Sequence, residues 1–313
     1  MFSLLACAGL PSPAQASRDI VVAIIDTGLD IRHPLFRDHL WTNPREKENG
    51  SDNDGNGYAG DLHGWNFVSN DNDLSDKHGH GTHVAGIILQ KARSQRVKFM
   101  ILKYYDPEKS GEENLLNTVK AIRYATKMKA DIINYSGGGD VRSPLEEAAI
   151  RDAQRNGILF VAAAGNEGRN TDRIGYYPAG YRLSNIVSVA AMDSKRRLLT
   201  SSNYGSKSVD IVAPGKNVLS ALPGGRYGYM TGTSQATAWV SGLVAGLLAQ
   251  TDKSWSPEEI KKVLEKSAVK DRELSQKVRT QGRISSLQVD SVTLASSHSD
   301  RELLGLRNPS GAQ

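Results

Sequence analysis

Six short runs of apolar residues, rich in Ile and Val, recur along the chain without the polar alternation of a half-exposed strand. Continuous apolar runs of this length are typical of strands that are buried on both faces of a parallel sheet. The sequence therefore predicts a mostly parallel central sheet. The predicted strands are Ile20–Ile25, Val97–Leu102, Asp131–Tyr135, Ile158–Ala164, Ile186–Ala191 and Val209–Ala213.

Helical patterns separate and follow these runs. Ser143 and Ser256 are each followed by proline and, three positions after the serine, by glutamate, which is the pattern of a helix N-cap with a capping box. The alternation of strands and helices predicts one α/β domain with three layers, αβα. The predicted helices are His83–Ala92, Glu113–Met128, Leu145–Asn156, a buried apolar helix at Ala236–Ala249, and a helix that opens at Ser256 and runs to about Ser267.

The length and composition suit one large folded domain. Of the 313 residues, 39% are hydrophobic and 23% are charged, which excludes a wholly disordered chain. The net charge of +5 is spread along the chain in short runs, so nucleic-acid binding is not expected. The single cysteine, Cys7, excludes an intramolecular disulfide and a cysteine-based zinc site. Ala236–Ala249 is too short to cross a bilayer, so no transmembrane span is expected.

The two ends differ in composition from the middle, so the folded domain is expected to span residues 18–290. Residues 1–17 are small and apolar up to Ala14–Ala16, which resembles a signal-cleavage site. They predict a degraded or truncated export signal, with a disordered tail as the alternative. The context of Cys7 also resembles a lipid-attachment site, so a secreted, periplasmic or lipid-anchored location is expected. Residues 291–313 are predicted to form a flexible tail.

Four polar side chains lie where predicted strands end or helices begin. Asp26 directly follows the first strand, and Asn166 follows a later strand in a Gly-rich turn. His80 and Ser234 lie at the starts of helices. Alone, each has an ordinary structural role in a turn or as a helix cap. Together they supply an acid, a base, a nucleophile and an oxyanion donor, in a chain order (Asp, His, Ser) that differs from those of chymotrypsin and the α/β-hydrolases.

The histidines at positions 78, 80 and 83 allow a different interpretation, a metal site. Three histidines within six residues could supply metal ligands. However, the HExxH motif of zinc hydrolases is absent, and His83 leads the apolar face of a predicted helix. The metal site is therefore the alternative to the nucleophilic one.

The four candidate residues lie in recognisable strings. These are IIDTGLDIRHP around Asp26, HGTHVAG from His80, AAAGNEG around Asn166 and GTSQAT around Ser234. Over about residues 18–286 the chain resembles the subtilisin (subtilase) family of serine endopeptidases, which implies a subtilisin-like fold. The resemblance implies that Ser234 attacks the scissile carbonyl, His80 transfers the proton and Asp26 orients the imidazole. It also implies that Asn166 and the Ser234 backbone N–H bind the oxyanion.

The resemblance extends to substrate binding. IINYSGGG, residues 132–139, is similar to the strand that lines the substrate cleft in this family. It implies that Ser136, Gly137 and Gly138 flank the residue before the cut and pair with an extended peptide; ordinary loop glycines are the alternative. Ser110–Gly111 is expected at the opposite edge of the cleft. Protein or peptide substrates, a monomeric state and no cofactor for the chemistry are expected.

Oxygen-bearing side chains and glycines crowd the segment 52–61, DNDGNGYAGD. Hard cations prefer oxygen ligands, and many subtilases carry a similar stretch with bound Ca²⁺. The expected ligands of a structural calcium ion are Asp52, Asp54, Asn56 and Asp61. His63 replaces the glutamate of an EF-hand loop, and a loop of Asx turns is the alternative. A second calcium site is not expected, because Leu89–Arg96 is short and basic.

The helix after Ser234 departs from the family pattern. Gln235 stands where Met is usual, and Ala238 and Trp239 replace a usual Pro-His pair. The packing behind the nucleophile must therefore differ. An inactive subtilase fold that binds peptides is one alternative to an active endopeptidase, and a metal hydrolase built on the histidine cluster is another.

Overall fold

The computed structural model describes residues 18–251 and 254–287. Eleven strands occur there. They are β1 (Ile20–Asp26), β2 (Gly64–Asn66), β3 (Val97–Lys103), β4 (Ile132–Tyr135), β5 (Leu159–Ala163), β6 (Ile186–Met192), β7 (Ile211–Pro214), β8 (Val218–Leu222), β9 (Arg226–Met230), β10 (Val269–Lys270) and β11 (Gly282–Arg283). Nine form one sheet in the order β10-β11-β7-β6-β5-β4-β1-β3-β2, parallel throughout except for β10–β11, and β8–β9 form a separate hairpin.

Helices cover both faces of the sheet. They are α1 (His80–Ala92), α2 (Gly111–Lys127), α3 (Pro144–Arg155), α4 (Thr233–Ala249) and α5 (Pro257–Ser267), with short 3₁₀ turns at Pro34–Phe36, Ala179–Tyr181 and Arg272–Leu274. Successive residues of β1 point to opposite faces: Ile24 lies in the apolar cluster shared with α1 and α4, and Ile25 in the cluster shared with α2 and α3. The predicted three-layer αβα fold with a mostly parallel sheet is confirmed.

Helix capping follows the sequence at one predicted site and departs from it at another. The capping box of Ser256 and Glu259 is confirmed. Ser143 caps α3 as predicted, but the box with Glu146 is wrong: Glu146 is buried and accepts a hydrogen bond from the Tyr181 hydroxyl at 2.8 Å. A tertiary partner therefore takes this side chain away from the helix end.

The middle of the sheet positions the candidate site. Strands β5, β4 and β1 are parallel neighbours, so their carboxyl ends meet at one edge. Asp26 ends β1, Ser136 directly follows β4, and Ala164 directly follows β5. Ligand sites of parallel sheets occur at this edge.

The expectations for residues 1–17 and 291–313 fall outside the described residues. Within the described part, none of the helices has the length and apolar character needed to cross a membrane.

Candidate active site

Asp26 and His80 form a hydrogen-bonded pair in which Asp26 is buried and His80 is partly exposed. Asp26 Oδ1 accepts from His80 Nδ1 at 2.8 Å and from the Thr27 backbone N–H at 2.8 Å. The Asp26 side chain is 4% exposed and that of His80 is 24% exposed. A bond to a carboxylate places a proton on Nδ1, which leaves Nε2 as the basic nitrogen on the more open side of the ring.

The close approach of α1 to β1 depends on a residue without a side chain. A Cβ atom on Gly81 would lie 2.1 Å from the Gly28 carbonyl oxygen and 3.2 Å from Asp26 Cβ. The Gly81 N–H donates to Thr27 Oγ1 at 3.0 Å. Glycine therefore allows the first turn of α1 to carry His80 to Asp26.

Asp76 holds the same helix end and was missed by the sequence analysis. The residue before α1 is Gly79, which provides no side-chain cap. Asp76 instead accepts from the Gly79 N–H at 2.7 Å, the Thr82 N–H at 2.9 Å and Thr27 Oγ1 at 2.9 Å. An acidic residue shortly before an uncapped helix start is the signal that could have identified it.

The surroundings of His80 act on its pKa in opposite directions. Burial lowers the pKa, whereas the charge and hydrogen bond of Asp26 and the charge of Asp76 raise it. The net effect is a pKa above the ordinary value of histidine. The carboxylates thus stabilise the protonated imidazolium inside the protein.

Ser234 and Ser136 join α4 to the end of β4. Ser234 is the second residue of α4, and its Oγ donates to the Ser136 carbonyl at 2.9 Å. In return, Ser136 Oγ donates to the Ser234 carbonyl at 3.2 Å. Among the described residues, no hydrogen bond is recorded between Ser234 Oγ and His80. Such bonds are often long in unliganded enzymes and tighten only when substrate binds.

Asn166 contacts the first residue of α4. Its Oδ1 accepts from the Thr233 N–H at 2.9 Å and from Thr233 Oγ1 at 3.2 Å. Asn166 is exposed, and no partner within the described part of the chain is recorded for its Nδ2. The amide is therefore held through its oxygen, while its N–H groups remain available to a ligand.

The segment that follows β4 leads away from Ser136 through glycines. Gly139 forms an antiparallel bridge with Tyr177: the Gly139 N–H donates to the Tyr177 carbonyl at 2.9 Å, and the Tyr177 N–H donates back at 2.7 Å. Gly137 and Gly138 lie between this bridge and Ser136. They present backbone without side chains, and a Cβ atom on either would lie within 2.5 Å of a tyrosine side chain.

The structure brings only two of the four predicted calcium ligands, Asp52 and Asp54, close enough to share an ion, although the Asn56 backbone N–H donates to both at 3.0 Å. Asp52 and Asp54 lie with Glu46, which was not predicted, so that one carboxylate oxygen of each lies within 4.8 Å of the others. Asp61 is fully buried and accepts from Asn56 Nδ2 at 2.7 Å, as well as from Asn43 and Tyr124 side chains. Asn56 and Asp61 thus bond to each other within the protein.

The histidine cluster does not converge on one point. His83 is buried and its Nε2 lies 3.0 Å from the Val218 carbonyl oxygen, facing the β8–β9 hairpin. Across residues 18–251 and 254–287, Glu46, Asp52 and Asp54 form the one group of three or more acidic, His or Cys residues close enough to share a metal ion.

Comparisons with known proteins show the family of the chain. The chain is 36% identical over 255 residues to a thermophilic serine proteinase of Bacillus sp. (strain AK1), covering 80% of this chain and 56% of the relative. It is 34% identical over 266 residues to the major intracellular serine protease of Bacillus subtilis (strain 168), covering 80% and 74%. A solved cold adapted subtilisin-like serine proteinase superposes with a TM-score of 0.67 at 26% identity, covering 84% of this chain and 89% of the other. The model of the subtilase family matches residues 17–292, and the chain therefore belongs to the subtilase family.

Proposed function

We propose that the protein is a serine endopeptidase that hydrolyses peptide bonds through an acyl-enzyme on Ser234. Ser234 Oγ attacks the scissile carbonyl carbon while His80 Nε2 takes its proton. His80 then gives that proton to the leaving amine. A water molecule, deprotonated by His80, hydrolyses the ester and restores Ser234. The observation that carries the proposal is the 2.8 Å hydrogen bond from His80 Nδ1 to the buried Asp26 carboxylate.

The groups around Ser234 suit the negative charge that develops on the substrate oxygen. The Ser234 N–H lies in the first turn of α4, where the helix dipole favours negative charge. Asn166 offers its Nδ2 hydrogens from the same helix end, held there by the Thr233 N–H. These two donors form the proposed oxyanion hole.

Substrate binding includes a rotation of the Ser234 side chain. The Ser234 hydroxyl donates to the Ser136 carbonyl, and rotation about χ1 turns it towards His80. An extended peptide that pairs with the backbone of Ser136, Gly137 and Gly138 would place its carbonyl against the hydroxyl.

A fluorophosphonate probe tests this function because it forms a covalent bond only with an activated serine. We expect labelling of the wild type and none of Ser234→Ala. Ser184→Ala is the control: Ser184 is exposed before β6 and its hydroxyl donates to Glu258 in the first turn of α5, and its variant should still be labelled. A correctly folded wild-type protein that is not labelled would contradict the proposal and favour the peptide-binding alternative.

We also propose that Glu46, Asp52 and Asp54 hold a structural calcium ion. Glu46 is buried and its Oε2 has no hydrogen-bond partner, while the Asp54 side chain is fully buried. Only the exposed Arg45, with its guanidinium 3.4 Å from Asp54, forms a recorded ion pair with this group among the described residues. A dication would offset the repulsion among three carboxylates. The hydrogen bond between Asn56 and Asp61 would stabilise the loop without contacting the ion.

Melting in calcium and in EDTA tests the calcium site. We expect a higher Tm in calcium for the wild type and no such difference for Glu46→Gln or Asp54→Asn, with Asp193→Asn as a control in a remote turn. Equal melting of the wild type in both buffers would contradict the site. Full peptidase activity in the chelator below the Tm is expected as well, and loss of activity in folded protein would instead favour the metal-hydrolase alternative.

A monomeric state and a location outside the cytoplasm stay predictions. Two of the relatives carry the word intracellular in their names, so the comparisons do not place this protein in a compartment.

A further inference from the structure

We call the space between the chain segments that follow β4 and β5 the crevice. The two strands are parallel neighbours, with Tyr135 opposite Ala162, and each continues past the sheet edge as irregular chain. In the proposed mechanism the reacting carbonyl lies between Ser234 Oγ and Asn166 Nδ2. In that mechanism the side chain of the residue before the cut points into this crevice, between Gly138 on one wall and Gly165 on the other.

The ring of Tyr176 fills the space between these two walls. A Cβ atom on Gly138 would lie 2.5 Å from Tyr176 Cε1, and one on Gly165 would lie 2.9 Å from Tyr176 Cε2. Both edges of the ring thus touch glycine backbone. The residue is only 8% exposed, so the ring is the floor of the crevice and not a side chain in solvent.

Neighbouring contacts fix the ring in this position. The next residue, Tyr177, is bridged to Gly139 by two backbone hydrogen bonds. Arg169, from the β5 extension, forms an ion pair with Asp140, which ties the outer ends of the two walls together. Widening the crevice would require breaking this pair or the bridge.

The side chain of Tyr176 is also uncharged. Burial and the nearby Glu167 carboxylate raise the pKa of its hydroxyl to about 12, against a smaller opposing effect of Arg169. The phenol is therefore uncharged at neutral pH and offers no ionic attraction for a basic or acidic substrate side chain.

We infer that Tyr176 restricts the residue before the cut to small side chains, of the size of Gly, Ala and Ser, and excludes aromatic and large aliphatic ones. This inference rests on the proposed endopeptidase function, because the crevice is identified by the position of the reacting carbonyl. Hydrophobic pockets reject substrates that are too large through overlap with the wall, which is a steeper form of discrimination than a missing methylene.

The experiment compares peptide p-nitroanilides that differ only in the residue before the nitroanilide: Gly, Ala, Leu or Phe. We expect the wild type to show kcat/KM for Ala about 10- to 100-fold above that for Phe. Tyr176→Gly should raise the Phe-to-Ala ratio by a similar factor, whereas Tyr176→Phe, which keeps the ring, should retain the wild-type ratio.

Active-site titration with the fluorophosphonate accompanies each measurement. Labelled wild-type protein that cleaves the Phe substrate as well as the Ala substrate would overturn the inference and leave the endopeptidase function intact. This result needs no variant, so misfolding of Tyr176→Gly does not obscure it. Folded protein that is neither labelled nor active would overturn the endopeptidase function, and the inference with it.

Discussion

The protonation of His80 links the geometry of one residue to the pH dependence of the whole reaction. In the proposed mechanism His80 must be neutral to accept the Ser234 proton. Burial lowers the pKa of His80, but Asp26 and Asp76 raise it by more than burial lowers it. The pKa of His80 therefore lies above its ordinary value of about 6.5. The balance between these opposing effects can be measured.

We predict that kcat/KM rises with pH through an acid limb centred above about 6.5. In Asp26→Asn the main raising effect is lost and burial dominates, so the limb should move to lower pH while kcat falls by about 10⁴-fold. Asp152→Asn, in the last turn of α3, should leave the pH profile of kcat/KM unchanged. An acid limb that does not move in Asp26→Asn would contradict the role given to the pair.

A single substitution can separate the structural role of Asn166 from its proposed role in the oxyanion hole. Asn166→Asp keeps an oxygen to accept from Thr233 but replaces the Nδ2 donor with a negative charge. We predict a loss in kcat of about 10²–10³-fold or more with the protein still folded, as judged by circular dichroism. Asn156→Asp, exposed at the end of α3, is the control. Unchanged kcat in Asn166→Asp would leave the side chain a purely structural role.

Among the elements, α1 carries His80 on its first turn and therefore converts small backbone shifts into changes at the site. Gly81→Ala would place a methyl group 2.1 Å from the Gly28 carbonyl oxygen. We predict a destabilisation of about 1–3 kcal/mol and a large loss of kcat/KM, measured by thermal melting and peptide hydrolysis. The matched control for stability is Gly111→Ala at the start of α2, where a Cβ meets no atom within 4 Å. An equal loss of Tm in the two variants would contradict the close-approach argument.

The elements best predicted from the sequence are those whose identity depends on burial alone. Each of the six continuous apolar runs is a parallel strand of the sheet, because a strand covered on both faces needs no polar alternation. The short β2, the β8–β9 hairpin and the β10–β11 pair were not predicted, since they are brief or carry exposed aromatic residues such as Tyr227 and Tyr229.

The sequence predicted those site residues that lie within a recognisable motif. It did not predict residues that reach the site only because the fold brings distant parts of the chain together. Asp26 and His80 lie together as the motifs implied. Glu46 joins Asp52 and Asp54 only through the folding of the loop, and Tyr176 meets Gly138 across 38 positions. Such contacts have no local sequence signal.

At the scale of the whole molecule, buried Glu146 makes stability depend on pH. Burial raises its pKa to about 7, against the lowering effect of the Tyr181 hydrogen bond. Since the folded pKa exceeds the unfolded value of 4.5, its contribution is fully present below pH 4.5 and is lost as pH rises through 7.

We predict that the free energy of unfolding of the wild type falls by up to about 3 kcal/mol relative to Glu146→Gln between pH 5 and 8, measured by urea unfolding. Glu147→Gln is the control. Hydrogen bonds from Arg142 and Arg151 lower the Glu147 pKa, so its pH effect lies below that range. Parallel stability curves for the wild type and Glu146→Gln would contradict the assignment.

The order of the elements along the chain has a consequence for biosynthesis. Asp26 ends the first strand and His80 begins the first helix, but Ser234 arrives with α4, after the strands that form the middle of the sheet. A ribosome has therefore made all of β1 to β9 before Ser234, the proposed nucleophile, exists. In the proposed mechanism a nascent chain cannot cleave its neighbours until α4 emerges and docks against α1, so the topology of the fold delays the onset of proteolysis.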